Sequence, residues 1–261
     1  KRVAIVGGGP GGCEAALTAS KRGHLVTLYE KRDFGGAMIE AGKPENKANI
    51  RRLIHYYEEH IHNDPNITVV KAEADYDTLV HENYDAVIVA TGGKARQLNV
   101  PGTETHPVIY ACDYLNGTAK ASGQKVVVIG GGITGAETAL ELHKEGKDVT
   151  VVEMTDAFLA NPSSACQAYH IEISQTDIQI LTGKRLVSVE DKSIRLADRW
   201  GNESSVPADS VVIAAGFTPQ YDLVEQLENN TDMEIFHIGD SKRVRQIYDA
   251  IHEGFFAARQ I

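Results

Sequence analysis

Residues 1–30, KRVAIVGGGPGGCEAALTASKRGHLVTLYE, return at 124–153 as QKVVVIGGGITGAETALELHKEGKDVTVVE without a gap. In each copy a short β-branched run, Val3 to Val6 and then Val126 to Ile129, stops at glycines. An Ala/Leu-rich helical stretch follows, and then a second strand ending in an acid. This is a β-α-β unit built around G-x-G-x-x-G. Gly7 and Gly130 permit the tight turn, Gly9 and Gly132 let the backbone approach a pyrophosphate, and Gly12 and Gly135 let the helix pack closely on the strand. The helix N-terminus then receives the anion. Glu30 and Glu153 each stand about 18 residues beyond the last glycine, at a strand end, where a carboxylate accepts hydrogen bonds from a ribose 2′-hydroxyl. One glycine fingerprint also arises from packing alone, but a duplicated one with the acid in register points to two bound nucleotides. A period of roughly 120 residues is too long for a solenoid, so the repeat reads as two related domains.

The chain around these units has 261 residues, 26 basic and 36 acidic side chains, a formal charge of −10, 42% hydrophobic and 24% charged residues. That is the composition of a globular protein with room for one large or two modest domains, and it excludes disorder, collagen and a disulfide scaffold. An acidic chain without a basic block lacks the electrostatic footprint for nucleic acid, and its apolar runs are too short for a membrane span. Cys13, Cys112 and Cys166 lie far apart and form no C-x-x-C pair, so neither zinc nor a redox disulfide is signalled, and a reducing cytoplasm is expected. The start at Lys1-Arg2-Val3, without an initiator methionine, suggests a piece of something longer.

Between and after the repeats, Ala86-Val87-Ile88-Val89-Ala90-Thr91-Gly92-Gly93 and Val211-Val212-Ile213-Ala214-Ala215-Gly216-Phe217-Thr218-Pro219 read as buried strands ending in flexible turns. Lys47 to His60 has helical apolar spacing at Ile50, Leu53, Ile54 and Tyr57, and 183–210 reads as a β-meander. Glu234 to Asp240 is a strand into a turn, with a helix from about Arg243 onward. Asp240 there is either a helix cap or a ligand contact. His55, His60 and His62 read as a solvated face and not a metal site, and His237 and His252 as satisfied or surface histidines.

GGGPGG near the start, Ala90-Thr91-Gly92-Gly93, the second GGGITGAE, Ala215-Gly216-Phe217-Thr218-Pro219 and Ile238-Gly239-Asp240 together resemble the two-dinucleotide-binding-domain flavoprotein oxidoreductases. Within them, KRVAIVGGGPGGCEAA, LYEKRDFGGAM and GDSKRVRQIYDAIHEGFFAAR resemble the C-terminal FAD/NAD(P)-binding half of old-yellow-enzyme-like NADH:flavin oxidoreductases of the 2,4-dienoyl-CoA reductase and 2-enoate reductase type. The resemblance implies an α/β fold of two Rossmann-like domains, three-layered and glutathione-reductase-like, the second inserted into the first. The FAD domain would be 1–107 plus 219–261 and the NAD domain 108–218.

By the same resemblance FAD would meet Gly7, Gly9, Pro10, Gly11 and Gly12 at its pyrophosphate, Glu30 and Lys31 at its adenosine ribose, and Gly36, Ala37 and Met38 near the flavin. Thr91 and Gly92 would contact it from the returning strand, Gly239 and Asp240 at the ribityl chain, and the helix with Ile247 and Ala250 would aim its N-terminus at the flavin. NADH would meet Gly130, Gly132, Ile133, Thr134, Gly135 and Gly216, with Glu153 at the ribose. No base follows in Met154-Thr155-Asp156-Ala157 to hold a 2′-phosphate, so NADH should beat NADPH. Glu137 stands open between the nicotinamide carboxamide and helix packing.

Hydride transfer from NADH to FAD needs no side-chain acid or base, so no catalytic residue is expected. In the family the electrons pass to an iron–sulfur cluster and FMN in an upstream TIM barrel, which reduces an activated C=C bond, and the barrel is absent from this chain. The alternative is a structural module holding ADP in the first site, as in related amine dehydrogenases. ADP shares the ribose and pyrophosphate that the glycines and Glu30 would recognise.

Overall fold

Val3, Ala4, Ile5 and Val6 are all buried because the strand they form lies at the centre of a parallel sheet covered on both faces. The computed structural model describes residues 1–106 and 108–261. The chain opens with β1 (Arg2–Val6), α1 (Pro10–Lys21), β2 (Leu25–Tyr29), α2 (Ala48–His62), β3 (Ile67–Val70) and β4 (Ala86–Val89). It continues with β5 (Val108–Tyr110), β6 (Lys125–Ile129), α3 (Ile133–Lys144), β7 (Asp148–Val152), α4 (Ser164–Ser174) and β8 (Gln179–Leu181). Three further strands, β9 (Arg185–Glu190), β10 (Ser193–Ala197) and β11 (Glu203–Pro207), precede β12 (Ser210–Ile213), and the chain closes with β13 (Glu234–His237) and α5 (Ile247–Gln260).

Two compact units result, Lys1–Lys94 with Phe217–Ile261, and Ala95–Gly216. The crossing expected at 107/108 falls beside a position outside the described residues, and the units divide earlier. Val189 N donates to Pro101 O at 2.9 Å and Arg96 N to Gly216 O at 2.9 Å, which ties 95–106 to the second unit.

In the first unit the parallel sheet runs β13-β4-β1-β2-β3. Alternate residues of β1 face opposite ways: Val3 and Ile5 join α1, α2 and α5 in one core, and Ala4 and Val6 join Leu79, Tyr84, Val224 and Leu227 in another. The second unit repeats the plan with sheet order β5-β12-β6-β7-β8. Val126 and Val128 pack with α3 and α4, whereas Val127 and Ile129 pack under the antiparallel meander β9-β10-β11. This is the expected Rossmann-like α/β architecture. In each unit the strand order reverses at the first strand, β1 beside β4 and β6 beside β12, which places a ligand crevice beyond the carboxyl ends of those strands.

No helix among the described residues is long and apolar enough to cross a membrane.

Candidate functional site

The two glycine turns are built alike to within a few tenths of an ångström. Gly7 has φ +109° and Gly130 φ +117°, and a Cβ on either would stand 2.3 Å from the backbone oxygen of Ala90 or of Ala214. The returning strands β4 and β12 therefore rest on these glycines. A Cβ on Gly12 would meet Gly7 O at 1.8 Å, and one on Gly135 would meet Gly130 O at 1.9 Å, so each helix lies against its own turn. Gly132 differs: a Cβ there meets nothing within 4 Å, and the nearest atom to one on Gly9 is Gly36 Cα at 3.9 Å. The space beside both middle glycines is free for a ligand.

Those middle glycines are also the N-caps of α1 and α3, and neither helix receives a side-chain cap, in contrast to α4, where Ser163 accepts from Cys166 N. The first N–H groups of α1 and α3 are left for an anion.

The acids complete the pattern. Glu30 accepts from Gly8 N at 2.7 Å through Oε2 and from Arg32 N at 2.6 Å through Oε1. Glu153 does the same with Gly131 N at 2.7 Å and Thr155 N at 2.7 Å. A carboxylate has about four acceptor positions, so each retains capacity for ribose hydroxyls while being held by the very loop that would take the pyrophosphate.

The other expected contacts fare unequally. Thr91 is exposed and Gly92, at φ +75°, has open space where a Cβ would be, as has Gly216 at φ +82°. Gly36 approaches Gly9, and Ala37 is exposed, but Met38 is buried in the first core, so its side chain is unavailable to a flavin and only its backbone can serve. Lys31 pairs with Glu73 at 2.9 Å across an exposed contact. Pro10 sits in the first turn of α1 with Gly11 buried behind it, where a Cβ would meet Ala250 O at 3.0 Å. Gly11 and Ala250 thus serve helix contact. Ile133 and Ile247 pack partly into their cores, and Thr134 accepts the Thr138 hydroxyl at its carbonyl, 2.7 Å away.

Asp240 is not the cap of α5. The N-cap is Gln246, and Asp249 at the third helical position completes a capping box with it, its Oδ2 accepting Gln246 N at 3.1 Å while its charge offsets the positive end of the helix. Asp240 lies one turn earlier and accepts Arg245 N at 3.0 Å. Gly239 N, beside it, donates to Glu253 Oε2 at 2.7 Å, and Arg245 pairs with the other oxygen of Glu253. Glu253 and Arg245 escaped the sequence reading, and together they pin the loop that presents Asp240.

Burial pushes the Asp240 carboxyl above the usual range, opposed by the Arg245 N–H and charge. A raised carboxyl adds stability below its unfolded pKa and loses it as pH climbs through the folded value, so the ionised group strains the protein at neutral pH. Asp240→Asn is expected to raise the melting temperature of the cofactor-free protein by about 2–4 °C while weakening flavin retention. Lower melting with unchanged retention in calorimetry and flavin release would assign Asp240 to loop structure alone.

Glu137 is 7% exposed and its Oε1 accepts the Tyr169 hydroxyl at 2.6 Å, and Glu14 likewise accepts Tyr57 OH at 3.1 Å. The repeat thus extends to a helix-to-helix Glu–Tyr pair, which gives Glu137 a packing contact. His237 departs from the expectation of a satisfied ring: its Nε2 is buried and finds no hydrogen-bond partner among the described residues, and the ring stands edge-on to Tyr221 with centroids 5.3 Å apart. Cys13 and Cys166 are buried and form no disulfide with a described residue. Burial, reinforced by Glu30 and Glu14, drives the Cys13 thiol far above its ordinary range, so it is no thiolate.

A family model described as pyridine nucleotide-disulphide oxidoreductase matches residues 1–254. Cinnamate reductase of Clostridium sporogenes is 33% identical over 100% of this chain and 39% of its own, and NADH oxidase of Thermoanaerobacter brockii is 33% identical over 100% and 41%. A solved 2-naphthoyl-CoA reductase superposes with a TM-score of 0.89 at 30% identity, covering 99% of this chain and 39% of the other. The chain spans about two-fifths of the length of the curated relatives it matches.

Proposed function

Because the chain belongs to the pyridine nucleotide-disulphide oxidoreductase family, flavoprotein oxidoreductases that use FAD and NAD(H), we propose that its first unit holds FAD and its inserted second unit holds NADH. The observation that carries this reading is the paired acid geometry: Glu30 and Glu153 each hold the second glycine of a nucleotide loop by the same 2.7 Å bond. When bound, FAD supplies a two-electron acceptor for the nicotinamide hydride.

The chain's own residues bind and orient. The uncapped N-termini of α1 and α3 take the two pyrophosphates, the two glutamates take the adenosine riboses, and Asp240 on its pinned loop takes the ribityl chain. No side chain need move a proton. Cys13 is buried and neutral, and the other two cysteines lie far from it in sequence, so no dithiol relay is proposed despite the family's name.

The length of the relatives supports a parent chain with a further portion. Electrons leave for it as an upstream TIM barrel carrying an iron–sulfur cluster and FMN, where an activated C=C bond is reduced, and a cytoplasmic setting belongs to the same proposal.

The test is the visible spectrum of the protein incubated with FAD, followed by anaerobic NADH. Bound flavin that bleaches with NADH and much less with NADPH is the expected result. Failure to take up flavin, with ADP retained instead, would make the first unit a structural nucleotide site and remove the redox role.

A further inference from the structure

Trp200 is the chain's only tryptophan, and 75% of its surface is exposed. It does not sit on a loose loop. Asp198 Oδ1 accepts both Trp200 N and Asn202 N at 2.9 Å, Asp198 Oδ2 accepts Asn202 Nδ2 at 3.1 Å, and Asp198 N donates to Asn202 O at 3.0 Å. These bonds, the Asn202 side chain foremost, hold the Asp198 carboxyl below the usual range. The turn between β10 and β11 is therefore ordered around an apolar ring that it leaves in water.

Topology says which edge of the sheet that turn occupies. β8 is parallel to β7 and ends at the same edge as Glu153. From there β9 runs away, β10 returns antiparallel to it, and the turn after β10 comes back to the carboxyl edge of the sheet, where the glycine loop and Glu153 lie.

Specific bonds bind this turn to the segment after Glu153. Arg199 pairs with Asp156 at 2.8 Å and Lys184 with Asp198 at 3.9 Å, while Lys184 N donates to Glu153 O at 3.0 Å and Gly183 N to Thr155 O at 2.8 Å. The exposed ion pairs contribute little energy but fix position. The Arg199 guanidinium carbon lies 4.9 Å from the Trp200 ring centroid, so one face carries a cation and the rest of the ring is open.

We infer that Trp200, backed by Arg199, is the platform on which the adenine ring of the dinucleotide stacks in the second unit. The inference rests on the reading of that unit as the NADH site. Once Glu153 holds the ribose, the base is one glycosidic bond further along, on the side of the 154–156 segment to which Arg199 is tied. A planar aromatic base is the chemistry that an ordered, exposed indole recognises, and such stacking is worth about a tenfold change in affinity or more.

The intact chain tests this through its single tryptophan, excited selectively over the ten tyrosines. Titration with ADP-ribose is expected to quench Trp200 emission, and reduced nicotinamide mononucleotide, which lacks the adenosine, is expected to leave it unchanged. Trp200→Ala should raise the dissociation constants of NADH and ADP-ribose about tenfold while leaving that of the mononucleotide unaltered, and Trp200→Phe should restore most of the loss. Wild-type NADH binding matched by Trp200→Ala overturns the platform and leaves the NADH site standing. Failure of the wild type to bind NADH or ADP-ribose overturns the reading of the second unit and the platform with it.

Discussion

Gly254→Ala is expected to lower the melting temperature of the first unit by about 10 °C and to strip its flavin, although alanine is normally the better helix former by about 1 kcal/mol. The reason is close approach. A Cβ at position 254 would stand 2.1 Å from Gly11 O, 3.0 Å from Gly11 C and 3.2 Å from Ala15 N, all backbone atoms that cannot swing aside. α5 must then back away from α1, opening the small-residue seam in which Ala15, Ala16, Ala19, Ala257 and Ala258 are buried. Overpacking of this kind costs about 3 kcal/mol, which outweighs the propensity gain. The displaced helix carries Glu253, so Gly239 N loses its acceptor and the Asp240 loop loses its hold. Calorimetry with and without FAD checks it. NADH affinity is expected to survive, because every residue assigned to that site lies in the other unit. A melting temperature equal to or above the wild type would mean that the two helices have slack between them.

That glycine marks the limit of what a linear reading reaches. The turns at Gly7 and Gly130, the acids at Glu30 and Glu153 and the continuous apolar strands are legible because their physical causes lie within thirty residues of one another and recur. Gly254 is required by a backbone more than two hundred residues away, and nothing near it in sequence says so. Glu253 and Arg245 differ in that their partners, Gly239 N and each other, lie within fifteen residues, but no periodicity or motif marks a bond between a turn and the helix that follows it. Asp240 is legible as a residue of interest, but the choice between cap and ligand contact needs the position of Asp249. Met38 is assigned by neighbourhood alone, and tertiary structure turns its side chain into the core. No base follows Glu153 directly along the chain, yet the meander brings Lys184 and Arg199 back to the same loop, which local sequence does not reveal.

Those cations sharpen what Glu153→Arg should do. The carboxylate has two tasks, accepting Gly131 N and Thr155 N and meeting the ribose 2′-hydroxyl. Losing a charged hydrogen bond to the hydroxyl costs about 1.5–3 kcal/mol, or roughly a tenfold to hundredfold loss in kcat/KM for NADH. Arginine cannot accept from the two N–H groups it orphans, so the loop loosens and the total loss is expected near a thousandfold. With NADPH the same loosening is offset, because a like charge beside the 2′-phosphate is replaced by a guanidinium able to bind it bidentately, with Arg199 releasable from an exposed pair with Asp156. The NADH/NADPH preference should therefore fall by about a hundredfold or more, with flavin content unchanged. Glu153→Gln divides the two tasks: its carbonyl keeps one N–H while the charge is gone, so NADH should weaken by about tenfold and NADPH improve modestly. Steady-state kinetics with both nucleotides decides between these outcomes. A Glu153→Arg variant that keeps the wild-type preference would show that the acid serves the loop alone and that the ribose is read by another group.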